Sequence, residues 1–282
     1  MKQESSWVGA RFFDGKKYIG PVIVIVGPTA SGKTSTAVEL ALKVGGEVIS
    51  ADSRAIYKYM DIGTAKPSIS ERKGVPHFGL DLVEPGERFT AADFKEYAEK
   101  KILEIRNRGH VPIIAGGTGL YVDALVYDYK FNGESKDFSH GTALANGNLS
   151  KGGTVIKRNE EIAKDREAVS KEFRLFGILW SSEELRERIT LREKEMYCPE
   201  LFAETEYLVK NYGWGSQAMK SNIYQFSHKV LAGELSQEEA IEQNVYMDWH
   251  LAKRQMTWFK RNKEIKWYSK GEILEEILKV FA

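Results

Sequence analysis

Five apolar residues, Val22 to Val26, run directly into Gly27-Pro28-Thr29-Ala30-Ser31-Gly32-Lys33-Thr34, and a helix-compatible run from Ser35 to Lys43 follows. In that order, strand then glycine loop then helix, G-x-x-x-x-G-K-[ST] is a phosphate-binding motif. The two glycines let the backbone curl without a Cβ clash, so that successive N–H groups and the positive end of the helix point at one anion. Lys33 adds a mobile positive charge, and the Thr34 hydroxyl can ligate a magnesium ion. An ordinary glycine-rich turn is the other reading of such a stretch, and the full match in the required context argues against it.

Composition sets the outer bounds. With 282 residues, 42% hydrophobic and 29% charged, the chain can bury a substantial core, as one large domain or one domain plus an appendage. Cys198 is the only cysteine, so no intramolecular disulfide is available, and a reducing, cytoplasmic setting is the simpler expectation. No apolar run is long enough to span a bilayer, and Met1 to Gly20 lacks the apolar stretch of a secretion signal. The net charge of +1 neither supports nor excludes nucleic acid. His77, His110, His140, His228 and His250 show no spacing of a structural zinc site, so none is expected.

Alternation of strand and helix patterns indicates an α/β fold, a parallel sheet with helices on both faces. Candidate strands are Val22 to Val26, Glu47 to Ala51, Phe78 to Val83, Val111 to Ala115 and Phe173 to Trp180. Thr90 with Asp93, Ser181 with Glu184, and Ser236 with Glu239 form capping-box patterns. The first opens a helix with Phe94, Ala98, Ile102 and Ile105 on its apolar face, and the last opens a helix running to about Asn262. The expected division is an N-terminal extension over 1–20, a core over 21–130, an insertion over 131–171, and the rest of the core with C-terminal helices over 172–282. Asn132 to Gly153 is too polar to bury much surface and reads as a loop, a mobile insertion or a flexible connection.

On the last long helix, Lys253 lies nearly above Lys260 and Arg254 above Arg261, with Trp258 and Phe259 close by. Basic side chains interleaved with aromatics suit a nucleic-acid backbone. A solvated helix face is the plainer reading of the stripe alone.

Taken together these blocks resemble the tRNA dimethylallyltransferases. Gly27 to Thr34 is followed by Ile49-Ser50-Ala51-Asp52-Ser53 and Met60-Asp61-Ile62-Gly63-Thr64-Ala65-Lys66-Pro67, in that family's order. Gly74-Val75-Pro76-His77, Asp81-Leu82, Ala92-Asp93-Phe94 and Gly116-Gly117-Thr118-Gly119-Leu120-Tyr121 continue the pattern, and Leu251 to Phe259 resembles its C-terminal signature. The resemblance implies transfer of a dimethylallyl group from dimethylallyl diphosphate to N6 of the adenosine just 3′ of a tRNA anticodon. It implies a magnesium ion on Thr34 and a diphosphate held by Gly27, Pro28, Thr29, Ala30, Ser31, Gly32, Lys33 and Thr34, with Arg188 and Arg192 on the opposite side.

Within that reading Asp52, Lys33 and Thr34 are the catalytic candidates. Asp52, at the carboxyl end of the second strand, is the candidate base for the adenine amine, and a turn-capping aspartate is the alternative. Asp52, Ser53, Arg54, Ala55, Thr118, Lys253, Arg254 and Gln255 are the expected tRNA contacts, and a monomer is expected. The target base must be turned out of the anticodon loop to be reached.

The chain also departs from the family. The family's longer, mostly helical insertion is shortened and replaced by the stretch Asn132 to Gly153, Asp248-Trp249 stands where Thr-Arg is usual, and Ser221 to Tyr224 lacks a common Gly-Tyr pair. Two other readings therefore stay open at this level. One is a different phosphate-loop enzyme, a small-molecule kinase or a prenyltransferase of free adenine nucleotides. The other is a tRNA-binding protein that has lost its chemistry.

Overall fold

The strand with the phosphate motif at its end is the centre of a six-stranded sheet in the computed structural model, which describes residues 17–131, 169–216 and 218–282. The elements in chain order are β1 (Val22–Val26), α1 (Lys33–Val44), β2 (Gly46–Ser50), α2 (Ile69–Arg72), β3 (His77–Phe78), α3 (Ala91–Asn107), β4 (Val111–Gly116) and α4 (Gly119–Val126). After the undescribed segment come β5 (Phe173–Leu179), α5 (Ser182–Met196), α6 (Pro199–Tyr212), α7 (Asn222–Leu231), α8 (Gln237–Phe259), β6 (Lys266–Ser269) and α9 (Ile273–Leu278). All strand pairings are parallel, in the order β3-β2-β4-β1-β5-β6. The fold is therefore the expected parallel α/β sheet.

Every residue of β1 is buried, because its two faces serve two cores. Val22, Val24 and Val26 face α3, α4 and Phe259, whereas Ile23 and Ile25 face α1 and α9. Both faces being covered is what a continuous apolar run means in a parallel sheet. The apolar face anticipated for α3, Phe94, Ala98, Ile102 and Ile105, is its buried face, and the Phe94 ring stacks on Tyr121 with centroids 4.4 Å apart. All three anticipated capping boxes form. A third core, built on Met60, Leu201, Leu208, Ile223 and Tyr224, packs α6 and α7 against the loop that follows β2.

Four expectations shift. The strand expected over Phe78–Val83 is only His77–Phe78, because Gly79 at φ +80° and Asp81 at φ +54° turn the chain out of the sheet. The last long helix ends at Phe259, with Lys260 as its cap. β6 and α9 extend the sheet and its cover where no element was anticipated. The end of the supposed N-terminal extension belongs to the core: Tyr18 is 6% exposed, and its amide donates to the Arg106 carbonyl. The insertion expected over 131–171 lies almost wholly outside the described residues.

Candidate active site

Parallel strands aim their carboxyl ends at one rim, and ligands of such sheets bind there. At this rim the loop after β1 leads into α1 through Gly32, whose φ of +85° only glycine adopts without strain. Ala30 holds φ +59° without that freedom, so its neighbours must impose the conformation. They are visible. Trp180 Nε1 donates to the Ser31 carbonyl at 3.0 Å, and Arg188 Nε donates to the Ala30 carbonyl at 2.8 Å. The Thr29 amide donates to Gln255 Oε1 at 2.8 Å, and Arg192 Nη1 donates to the Thr29 hydroxyl.

Lys33, at the start of α1, folds back so that its Nζ donates to the Pro28 carbonyl at 2.6 Å. Burial pushes its ammonium down from 10.5 to about 8; the Asp52 carboxylate opposes that shift and the Arg192 guanidinium adds to it. An anion entering the loop would restore the charge. Thr34 is exposed at the first turn of α1, so its hydroxyl is open to a ligand. One hydroxyl beside a phosphate site fits a magnesium ion whose other ligands are phosphate oxygens and water.

Asp52 stands two residues beyond β2 on the same rim, near enough for its charge to act on Lys33. Its Oδ1 accepts from the amides of Arg54 at 2.8 Å and Ala55 at 3.4 Å. The turn-capping role is therefore real, and it uses one carboxylate oxygen. Ser53 and Thr118 are clasped: the Ser53 amide donates to Thr118 Oγ1 at 2.9 Å, and the Thr118 amide donates to the Ala51 carbonyl at 3.2 Å. Such closeness requires Gly116, where a Cβ would lie 2.1 Å from the Ala51 oxygen.

The remaining expected residues divide by direction. Lys253 and Arg254 are exposed on α8, with Lys253 4.9 Å above the Trp249 ring. Gln255 turns inward, and its Nε2 donates to the Gly117 carbonyl at 3.0 Å while Oε1 holds Thr29. It ties the loop after β1 to the loop after β4. Ala55 is 4% exposed, and Arg54 is half-buried. The aromatics expected among the stripe of cations divide: Phe259 is 1% exposed in the core, whereas Trp258 is half-buried, its Nε1 donating to Asp123 Oδ2 at 2.9 Å and its ring centroid 5.4 Å from the Arg261 guanidinium. Lys260 and Arg261 are exposed just beyond the helix.

The Met60 to Pro67 block, in the loop that follows β2, is tied to α6 and α7. The Glu204 carboxylate, on α6, accepts the amides of Asp61, Ile62 and Gly63 at 2.8, 2.8 and 2.9 Å and the Tyr224 hydroxyl at 2.7 Å. Lys66 is 9% exposed between Asp61 and Asp81, each at 2.6 Å. Neither Glu204 nor the bracing role of Gln255 carries a local sequence signal, since their partners are far off in the chain.

With this geometry in place, comparison with known proteins gives one answer. The IPP transferase family model matches residues 55–161 and 149–262. A tRNA dimethylallyltransferase of Staphylococcus carnosus is 36% identical, over 91% of this chain and 95% of that one. The crystal structure of a tRNA delta(2)-isopentenylpyrophosphate transferase from Staphylococcus epidermidis superposes with a TM-score of 0.73 at 35% identity, covering 92% of this chain and 98% of that one. A full-length tRNA isopentenylpyrophosphate transferase from Bacillus halodurans gives 0.75 at 32% identity, covering 93% and 96%.

Proposed function

The chain belongs to the IPP transferase family, and from that premise we propose that it is a tRNA prenyltransferase, moving a dimethylallyl group from dimethylallyl diphosphate to N6 of the adenosine 3′-adjacent to the anticodon. The observation that carries this reading is that Asp52, two residues beyond β2, and the phosphate loop with Lys33 stand at one rim of the sheet, near enough for the carboxylate to act on the ammonium.

The chemistry needs both. As the allylic C–O bond breaks, negative charge grows on the departing pyrophosphate, and positive charge spreads over the allyl fragment. The loop amides, Lys33 and the side of the loop carrying Arg188 and Arg192 face the growing negative charge. A magnesium ion held by Thr34 would neutralise phosphate charge in the same place. The adenine amine is a poor nucleophile because its lone pair is conjugated with the ring. Asp52 takes its proton as the new C–N bond forms. Thr118 and Ser53 fix the loops on either side of Asp52, and the exposed Lys253 and Arg254 offer charge to the tRNA backbone. The target base enters turned out of its stack. The described residues contain no helix long and apolar enough to cross a membrane. We place the enzyme in the cytoplasm, acting as a monomer.

The test is to incubate the protein with magnesium, dimethylallyl diphosphate and either unmodified tRNA or AMP, and to analyse the nucleosides by mass spectrometry. A five-carbon gain on tRNA adenosine alone is expected. Gain on AMP instead would make the protein a nucleotide prenyltransferase, and tRNA binding without any gain would make it a protein that has lost the chemistry.

A further inference from the structure

Behind the phosphate loop, α5 and α8 bring together two carboxyl groups, that of Glu193 fully buried and that of Asp248 partly buried. Glu193 is 1% exposed, and Asn244 Nδ2 donates to its Oε2. One helical turn beyond Asn244, Asp248 stands within hydrogen-bonding reach of the Glu193 carboxyl. Asp248 in turn faces the Thr29 hydroxyl, which is the group that accepts Arg192 Nη1.

We propose that Glu193 and Asp248 hold one proton between them and act as a positioning pair, keeping Thr29 and Arg192 set at the diphosphate end of the loop while that proton is retained. The inference rests on the diphosphate reading of the loop.

Two carboxylates in contact within a poorly solvated site do not both ionise at neutral pH. Burial, then the neighbouring Asp248 charge, holds the Glu193 carboxyl up at about 7, against the pull of Arg192. Asp248 is also raised by burial, with Arg192, Glu193, Arg254 and Thr29 pulling the other way. The proton thus sits on Glu193, which donates to Asp248. Tyr197, just past α5, is pushed up by burial and by both carboxylates, so it stays neutral. When the proton leaves, a second negative charge appears beside Arg192. The Arg192 Nε is buried without a hydrogen-bond partner among the described residues. The guanidinium therefore has a free donor with which to answer that charge, and it is drawn off Thr29.

Glu193→Gln mimics the protonated form, since its Nε2 donates to Asp248 and its Oε1 accepts from Asn244. The test measures KM for dimethylallyl diphosphate, at saturating tRNA, from about pH 6 to about pH 9 in both proteins. The ratio of wild-type to variant KM is expected to rise by about tenfold across that range, the loss of one charge-assisted hydrogen bond. Any limb due to Lys33 is common to both proteins and cancels. A ratio independent of pH would overturn the proposal.

Thermal melts without substrate give a second readout. Glu193 is raised in the folded protein, so its contribution to stability is full below its ordinary value near 4.5 and is lost as pH rises through about 7. The wild type should lose melting temperature relative to Glu193→Gln, or to Asp248→Asn if the first variant does not fold. A constant difference in the melts would again refute the shared proton. Absence of turnover at every pH, with the melts behaving as expected, would instead fault the diphosphate reading.

Discussion

Lys33 gives the sharpest quantitative handle on the phosphate loop. In the free protein its ammonium is held down to about 8 by burial, from an ordinary 10.5. A bound pyrophosphate places negative charge beside Nζ and favours the charged form, so binding above neutrality must take up a proton. If only the charged form binds well, the competent fraction falls from about nine-tenths at pH ~7 to about one-tenth at pH ~9. Lys33 alone should therefore weaken pyrophosphate affinity about tenfold over that interval. Isothermal titration in two buffers of different ionisation enthalpy, carried out on Glu193→Gln protein so that only the Lys33 proton is read, would report that proton as near zero per site at pH ~7 and approaching one at pH ~9. Lys33→Met should bind weakly and without this pH dependence. Stability of the free protein has the opposite trend: the folded Lys33 gives up its proton before the unfolded one does, so stability rises with pH between about 8 and 10.5. A pH-independent affinity with no proton uptake in the Glu193→Gln protein would refute the placement of Lys33 against the anion.

Two further substitutions separate support from chemistry. Glu204→Ala removes the acceptor of three backbone amides and the Tyr224 hydroxyl, and should cost roughly 3–5 kcal/mol in urea unfolding, given about 1.5–3 kcal/mol for each bond to a charged group and partial replacement by water; a loss below about 1 kcal/mol would show that the Asp61 to Gly63 turn holds its shape unaided. Gly116→Ala would put a Cβ 2.1 Å from the Ala51 oxygen, forcing the loop beside Asp52 to move. It should abolish prenylation or folding, whereas Gly215→Ala, with nothing within 4 Å, should change neither.

Much of the fold was legible because its signals are local. The apolar run of β1, the 3.6-residue stripe of α3 and the three capping boxes each lie within a few residues, and each formed as read. β6 escaped notice because its four residues form a partly exposed edge strand bounded by charge, with only Trp267 and Tyr268 half-buried. Phe78 to Val83 read as a strand because its apolar pattern continues after the backbone has turned at Gly79. Helical spacing grouped Trp258 and Phe259 with the cations, and packing leaves only Trp258 there, beneath Arg261. Here Phe259 fills the core that β1 and α3 share.

At the site, the phosphate loop announced itself through residue order, and Asp52, Ser53 and Thr118, which the structure brings to one rim, were expected through family resemblance. Gln255 was expected on the tRNA side. Its partner Thr29 is 226 residues away, so nothing in the sequence distinguishes a brace from a contact. The contact of Glu193 with Asp248 was equally hidden, since the two lie on different helices.

Asp52→Asn puts the whole account to its hardest trial, because it keeps an oxygen for the turn cap and removes only the base. In single-turnover assays at about pH 7 with saturating tRNA and dimethylallyl diphosphate, the rate of five-carbon transfer should fall about 10²–10⁴-fold while pyrophosphate affinity stays within about threefold of wild type. A variant that transfers the group at near the wild-type rate, or that loses pyrophosphate binding in the same proportion as turnover, would contradict the claim that a carboxylate beside the phosphate loop readies the adenine for alkylation.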